Sequence, residues 1–124
     1  PLKGRALVLP VSNAFHSPHM REAADELAKH MDKLDWRDPK IPVYLNVTAR
    51  PQADAKVLKE TVKQQMTSSV YWTQTIENQY ADGMRSFVEL GPKGALSRMV
   101  SQILKDRDGV ETQSVSTLEH AASL

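Results

Sequence analysis

The chain has 124 residues and no cysteine, and its 16 basic and 15 acidic side chains leave a formal net charge of +1. Disulfide frameworks, cysteine nucleophiles and thiolate metal sites are excluded, and no basic run supplies the electrostatics of nucleic-acid binding. No apolar stretch is long enough to span a bilayer and the N-terminus lacks a signal-peptide layout, so one domain, or part of one, acting in the cytoplasm is expected.

The chain opens on Pro1-Leu2-Lys3-Gly4 with no initiating Met and enters an apolar run almost at once, as expected of a piece cut from a longer protein. That run, Leu7-Val8-Leu9-Pro10-Val11, predicts a first strand. Small polar residues follow, then Phe15, His16 and a helix start at Ser17-Pro18, where serine suits the N-cap and proline the first helical position. Met20, Ala23, Ala24, Leu27, Ala28, Met31 and Leu34 recur at helical spacing and predict one buried face. Arg21 and Asp25 are spaced to pair on the exposed face.

Ile41 to Val47 predicts a short strand, which Pro42 confines to a strand start or edge. Thr48 to Ala53 turns the chain. Asp54 suits the N-terminus of a second helix, with Val57, Leu58, Val62 and Met66 facing inward. Gln64 to Ser69 is a polar interruption. Trp72, Ile76 and Tyr80, each four apart, predict a third helix that ends at Gly83. Ser86 to Leu90 reads as a strand, and Gly91-Pro92-Lys93-Gly94 as a turn. Leu96, Met99, Val100, Ile103 and Leu104 then line a fourth helix. A strand near Thr112 to Val115 and a helical turn from Leu118 to Ala122 close the chain. Strands alternating with helices predict an α/β class with a largely parallel sheet.

His16 stands where strand hands over to helix, and in open α/β sheets ligands bind beyond the carboxyl ends of strands. Histidine in such a place serves as a general acid or base; the plainer alternative is a residue that caps or packs. His19 nearby raises a metal site, but two histidines with no carboxylate or thiol in register make a poor one. The Gly91–Gly94 turn leads into a helix N-terminus, as phosphate loops do. It has neither GxxxxGK[ST] nor GxGxxG spacing, so a turn that lets strand and helix pack is the better reading. No serine sits in a GxSxG elbow. The residues alone offer a base without a nucleophile.

The run Leu9-Pro10-Val11-Ser12-Asn13-Ala14-Phe15-His16-Ser17-Pro18, with Met20, resembles the catalytic-histidine segment of malonyl-CoA:acyl carrier protein transacylases. Ile41-Pro42-Val43 with Asn46-Val47, Val70-Tyr71-Trp72-Thr73, and Glu89-Leu90-Gly91-Pro92 resemble three further segments of that family, in its order and roughly at its spacing. The resemblance implies the C-terminal part of an α/β-hydrolase-like acyltransferase large domain. Residues 1–10 would be the strand returning from a small ferredoxin-like subdomain.

It also implies transfer of malonyl from malonyl-CoA to the phosphopantetheine thiol of acyl carrier protein through a serine acyl-enzyme, in fatty acid or polyketide synthesis. His16 would be the base, oriented by the main-chain carbonyl of Gln65. Phe15 and Asn13 would contact substrate, and an Ala-Phe-His ending goes with malonyl preference in related polyketide acyltransferase domains. No metal and no covalently bound cofactor are implied, coenzyme A entering as a thioester substrate. The family's nucleophile elbow, its malonyl-binding arginine and its oxyanion-hole glutamine precede the matched segments. The chain is therefore expected to be inactive alone and to need the missing N-terminal part of the enzyme. Its Gly-Pro-Lys-Gly departs from the family's usual Gly-Pro-Gly-Lys. An expectation of a different class is a non-catalytic module that binds a carrier protein or a partner subunit; a serine hydrolase remnant fits less well.

Overall fold

The computed structural model describes Gly4, Val8 and residues 12–91 and 93–122. The first predicted strand falls, but for Val8, outside the described residues, and with it the assignment of residues 1–10; Pro92 lies outside them too.

A 3-10 turn, Pro18–Met20, runs into α1, Arg21–Met31. Pro18 fits the first turn because its missing N–H has no helical partner there. Ser17 does not cap the helix: its Oγ donates to the Ala14 carbonyl at 2.6 Å and shapes the loop instead. Of the predicted apolar face, Ala24 and Met31 are buried while Leu27 and Leu34 remain exposed. The ion pair on α1 forms not between Arg21 and Asp25 but from Glu26 to Lys29 at 2.8 Å, with His30 Nε2 3.5 Å from the same carboxylate. Trp36 closes the helix end, its Nε1 donating to the Met31 carbonyl at 3.0 Å.

The strand expected over 41–47 shrinks to β1, Val43–Tyr44, and the segment expected to turn contains β2, Pro51–Gln52, paired antiparallel with it. The chain reverses between them, with Leu45 N–H on the Arg50 carbonyl at 3.2 Å and Ala49 N–H on the Leu45 carbonyl at 2.8 Å. Ala49 has φ 55°, a left-handed conformation usually given to glycine or asparagine. Pro51 has no N–H to give, which keeps the ladder short.

Asp54 starts α2, Ala55–Gln64: its Oδ1 accepts the N–H groups of Lys56 at 2.8 Å and Val57 at 2.9 Å. Ala55 and Leu58 face the interior, whereas Val57 stays exposed. A 3-10 turn, Gln65–Thr67, leads on to α3, Trp72–Ala81. Gly83 at φ 98° ends that helix, its N–H on the Tyr80 carbonyl at 3.1 Å.

The rest is a βαβ unit of β3, Ser86–Leu90, α4, Ala95–Ile103, and β4, Glu111–Val115, followed by α5, Leu118–Ala122. β3 and β4 pair in parallel, Ser86 opposite Glu111 through Leu90 opposite Val115. The core lies where α3 and α4 meet β3. Ile76 at 2% exposure and Val100 and Leu104 at 3% form its centre, with Trp72, Tyr80, Phe87 and Ile103 packed around them. Burial of each such side chain contributes about 1.5–3 kcal/mol.

The largely parallel sheet needs correction. The described residues form two two-stranded sheets, one antiparallel and one parallel. A parallel partner needs a long crossover, which α4 supplies for β3 and β4. After β1 the chain turns straight back, and only a hairpin can form.

Candidate active site

His16 sits in the loop before the 3-10 turn that opens α1, exposed and with φ 63°. A non-glycine residue held there is strained by about 1–2 kcal/mol, so something has to hold it. Two consecutive carbonyls do: His16 N–H donates to Met66 at 3.0 Å, and His16 Nδ1 lies 2.9 Å from the Gln65 oxygen. Both carbonyls are available because they belong to the 3-10 turn Gln65–Thr67, where the helical segment that follows α2 ends and leaves acceptors with no helical partner. A carbonyl only accepts, so the contact requires the proton on Nδ1 and leaves the lone pair on Nε2. That is the tautomer a base acting through Nε2 needs.

The Phe15 ring, 56% exposed, stands beside the imidazole with centroids 6.5 Å apart and planes at 49°. Asn13 lies in the same exposed loop. Gln65 is tied from its other side, where Asn46 Nδ2 donates to Gln65 Oε1 at 2.8 Å. His19 ends exposed in the 3-10 turn, and among the described residues no three His, Asp or Glu side chains converge as metal ligands.

The helices next to the His16 loop and the Gln65 turn, α1 and α2, are joined by an ion triad. Asp32 Oδ1 at the end of α1 lies 2.8 Å from both Lys59 Nζ and Lys63 Nζ of α2. A carboxylate at a helix C-terminus is unfavourable by itself. Hydrogen bonds from Lys59 and then Lys63 outweigh this and hold the Asp32 carboxyl down to about 2. Further off, the Tyr44 hydroxyl donates to the Asp82 carboxylate, and that bond pushes its pKa up to about 12.

The Gly91–Gly94 turn serves packing rather than anion binding. The Glu89 carboxylate of β3 occupies the N-terminus of α4, its Oε2 accepting Ser97 N–H at 2.8 Å. That backbone bond holds Glu89 below the usual carboxylate range. Gly94 takes φ 58° as the N-cap, and a Cβ on it would stand 3.3 Å from Ser114 Cβ. Lys93 is exposed, and its carbonyl accepts from Arg98 Nη1 at 3.0 Å. Glycine thus stands at the residue of this turn that is left-handed and crowded.

A cleft of about 420 Å³ opens between β1, α3, β3 and α4 and does not reach His16. Its titratable lining, Tyr44 and Glu89, is engaged by Asp82 and Ser97. Sequence reasoning missed the Asn46–Gln65 bond, the Asp32 triad and the Glu89 cap. Asn46 and Glu89 carried a signal, as parts of the Asn46-Val47 and Glu89-Leu90-Gly91-Pro92 matches.

The acyl transferase domain family matches residues 3–122. A malonyl CoA-acyl carrier protein transacylase of Staphylococcus aureus is 33% identical over 115 residues, which are 93% of this chain and 36% of that protein. An acyl carrier protein S-malonyltransferase of Vibrio cholerae superposes with TM-score 0.85 at 34% identity, over 96% of this chain and 38% of that one. A malonyl-transacylase solved in complex with its type II polyketide synthase acyl-carrier protein gives TM-score 0.83 at 28% identity, over 97% of this chain and 38% of that one. The chain thus spans well under half the length of the proteins it resembles.

Proposed function

We propose the following of a chain that belongs to the acyl transferase domain family: it carries the general base of a malonyl-CoA:acyl carrier protein transacylase. The observation that carries this reading is the His16 Nδ1 contact to the Gln65 carbonyl at 2.9 Å, because it leaves Nε2 as the proton acceptor. The nucleophile is a serine from the part of the enzyme that this chain does not span. His16 Nε2 takes the serine proton as the oxygen attacks the malonyl thioester, then gives it to the departing coenzyme A thiolate. In the second half, His16 takes the proton of the phosphopantetheine thiol, the sulfur attacks the acyl-serine ester, and the serine oxygen regains the proton. Gln65 plays the part that a carboxylate plays in serine hydrolases.

Phe15 and Asn13 belong to the substrate side of this reading. The Phe15 ring fills space beside the base that an α-methyl would enter. Discrimination of malonyl from its methyl-branched analogue by that contact is worth about 1–3 kcal/mol. Coenzyme A and acyl carrier protein come and go as substrates, with no resident cofactor or metal.

The test offers radiolabelled malonyl-CoA and holo acyl carrier protein to this chain and to the longest gene product that contains it. We expect transfer by the longer product, none by this chain, and a loss of at least about 1,000-fold on His16→Ala in the longer product. Full transfer with His16→Ala would remove His16 from the chemistry. Carrier-protein binding without transfer by any form would favour the non-catalytic module instead.

A further inference from the structure

We propose that Asn46 is a positioning residue: its side chain holds that of Gln65 and so fixes the turn whose carbonyls meet His16. The proposal rests on the reading of His16 as the base. Asn46 Nδ2 donates to Gln65 Oε1 at 2.8 Å in a half-buried pair. Asn46 is itself pinned on two sides. Its carbonyl accepts Tyr71 N–H at 2.9 Å, where α3 begins, and the preceding Leu45 is buried at the end of the hairpin strand.

Gln65 therefore has two tethers of different kinds. Its side chain is anchored to Asn46, while its main-chain oxygen faces His16 Nδ1 and the next carbonyl, Met66, receives His16 N–H. The intervening 3-10 turn has only three residues, Gln65–Thr67, and such turns have poor internal hydrogen-bond geometry. α2 holds the turn at its start, and the Asn46 amide holds it from the side. A base is effective only within a fraction of an ångström of its working position, so the lateral tether bears on the reaction without touching substrate.

The test reads the tautomer of His16 by NMR in the full chain labelled with ¹⁵N-histidine. In the unaltered chain the neutral ring is expected to carry its proton on Nδ1. Asn46→Ala and Gln65→Ala each cut the same tether, so each is expected to move His16 several-fold toward the Nε2–H form. The double variant is expected to go no further than either single one. Gln65→Glu keeps an acceptor for Asn46 and is expected to keep the original tautomer. Lost stability alone does not change the tautomer of the molecules that remain folded.

A folded Asn46→Ala chain with His16 unchanged would overturn the proposal, as would single effects that multiply in the double variant. Should Asn46→Ala not fold, Gln65→Ala and Gln65→Glu decide, and equal behaviour of the two overturns it. In an active longer product, Asn46→Ala is expected to lower kcat about 10- to 100-fold with KM for malonyl-CoA little changed. If no form transfers malonyl while the tautomer results hold, the base role falls and the tether stands.

Discussion

Replacing His16 by glycine and by alanine isolates the backbone strain at the candidate base. Both changes remove the ring and its contact to the Gln65 carbonyl, and both keep the N–H that donates to Met66. The ring is exposed, so little apolar burial enters either comparison. What differs is the cost of φ 63°. Alanine bears about 1–2 kcal/mol in the left-handed region, and glycine almost none. Glycine in turn has the freer unfolded chain, which takes back about 0.4–1 kcal/mol. The net expectation is that His16→Gly is more stable than His16→Ala by about 0.5–1 kcal/mol. Urea unfolding followed by circular dichroism measures this, provided both variants share one slope. An alanine variant as stable as the glycine variant would refute the assignment of strain to this residue.

Three further expectations follow from the packing and the charges. The Asp32 carboxyl titrates at about 2 when folded against its ordinary 3.8, so its stabilising effect is whole above about pH 4 and disappears as pH falls toward 2. The difference in melting temperature between the unaltered chain and Asp32→Asn should close over that window; a gap independent of pH counts against the triad. Ile76→Ala should cost about 2–4 kcal/mol and Ile76→Val about 1 in chemical denaturation, because Ile76 is 2% exposed at the centre of the core. An Ile76→Ala cost below 1 kcal/mol would mean that the core does not depend on it. Gly94→Ala adds a Cβ 3.3 Å from Ser114 at φ 58° and should destabilise by about 1–2 kcal/mol or more; a neutral result in the same assay would show that the turn relaxes freely.

Elements with strong periodic burial were legible before any coordinates. α3 and the βαβ unit lie where Trp72, Ile76 and Tyr80 and the alternation of Ser86–Leu90 place them. The hairpin was not, because its reversal depends on Ala49 in a conformation that alanine rarely adopts. The Ser17 cap failed since a nearer carbonyl, Ala14, took its hydroxyl. His16 drew attention by its place between an apolar run and a helix start. Its partner was not legible from residue types alone, since a main-chain carbonyl leaves no mark on the sequence, and Gln65 emerged only through resemblance to a family. The capping contact of Glu89 escaped notice because the acid that caps α4 comes from the preceding strand and not from the residue at the helix start.

The contact between His16 and Gln65 joins residues 49 apart in the chain, whereas β3, α4 and β4 close on one another locally. Loop closure costs more entropy the longer the loop, so His16 is expected to dock after the βαβ unit has formed. The same ordering applies in reverse to spontaneous opening. Hydrogen exchange of the His16 amide is expected to run ahead of that of Val100 in the core, through a local detachment that leaves the rest intact. Equal protection of the two amides would instead mean that the whole chain opens as one unit. The rate at His16, read against the core, measures how often a contact between residues 49 apart in the chain comes loose.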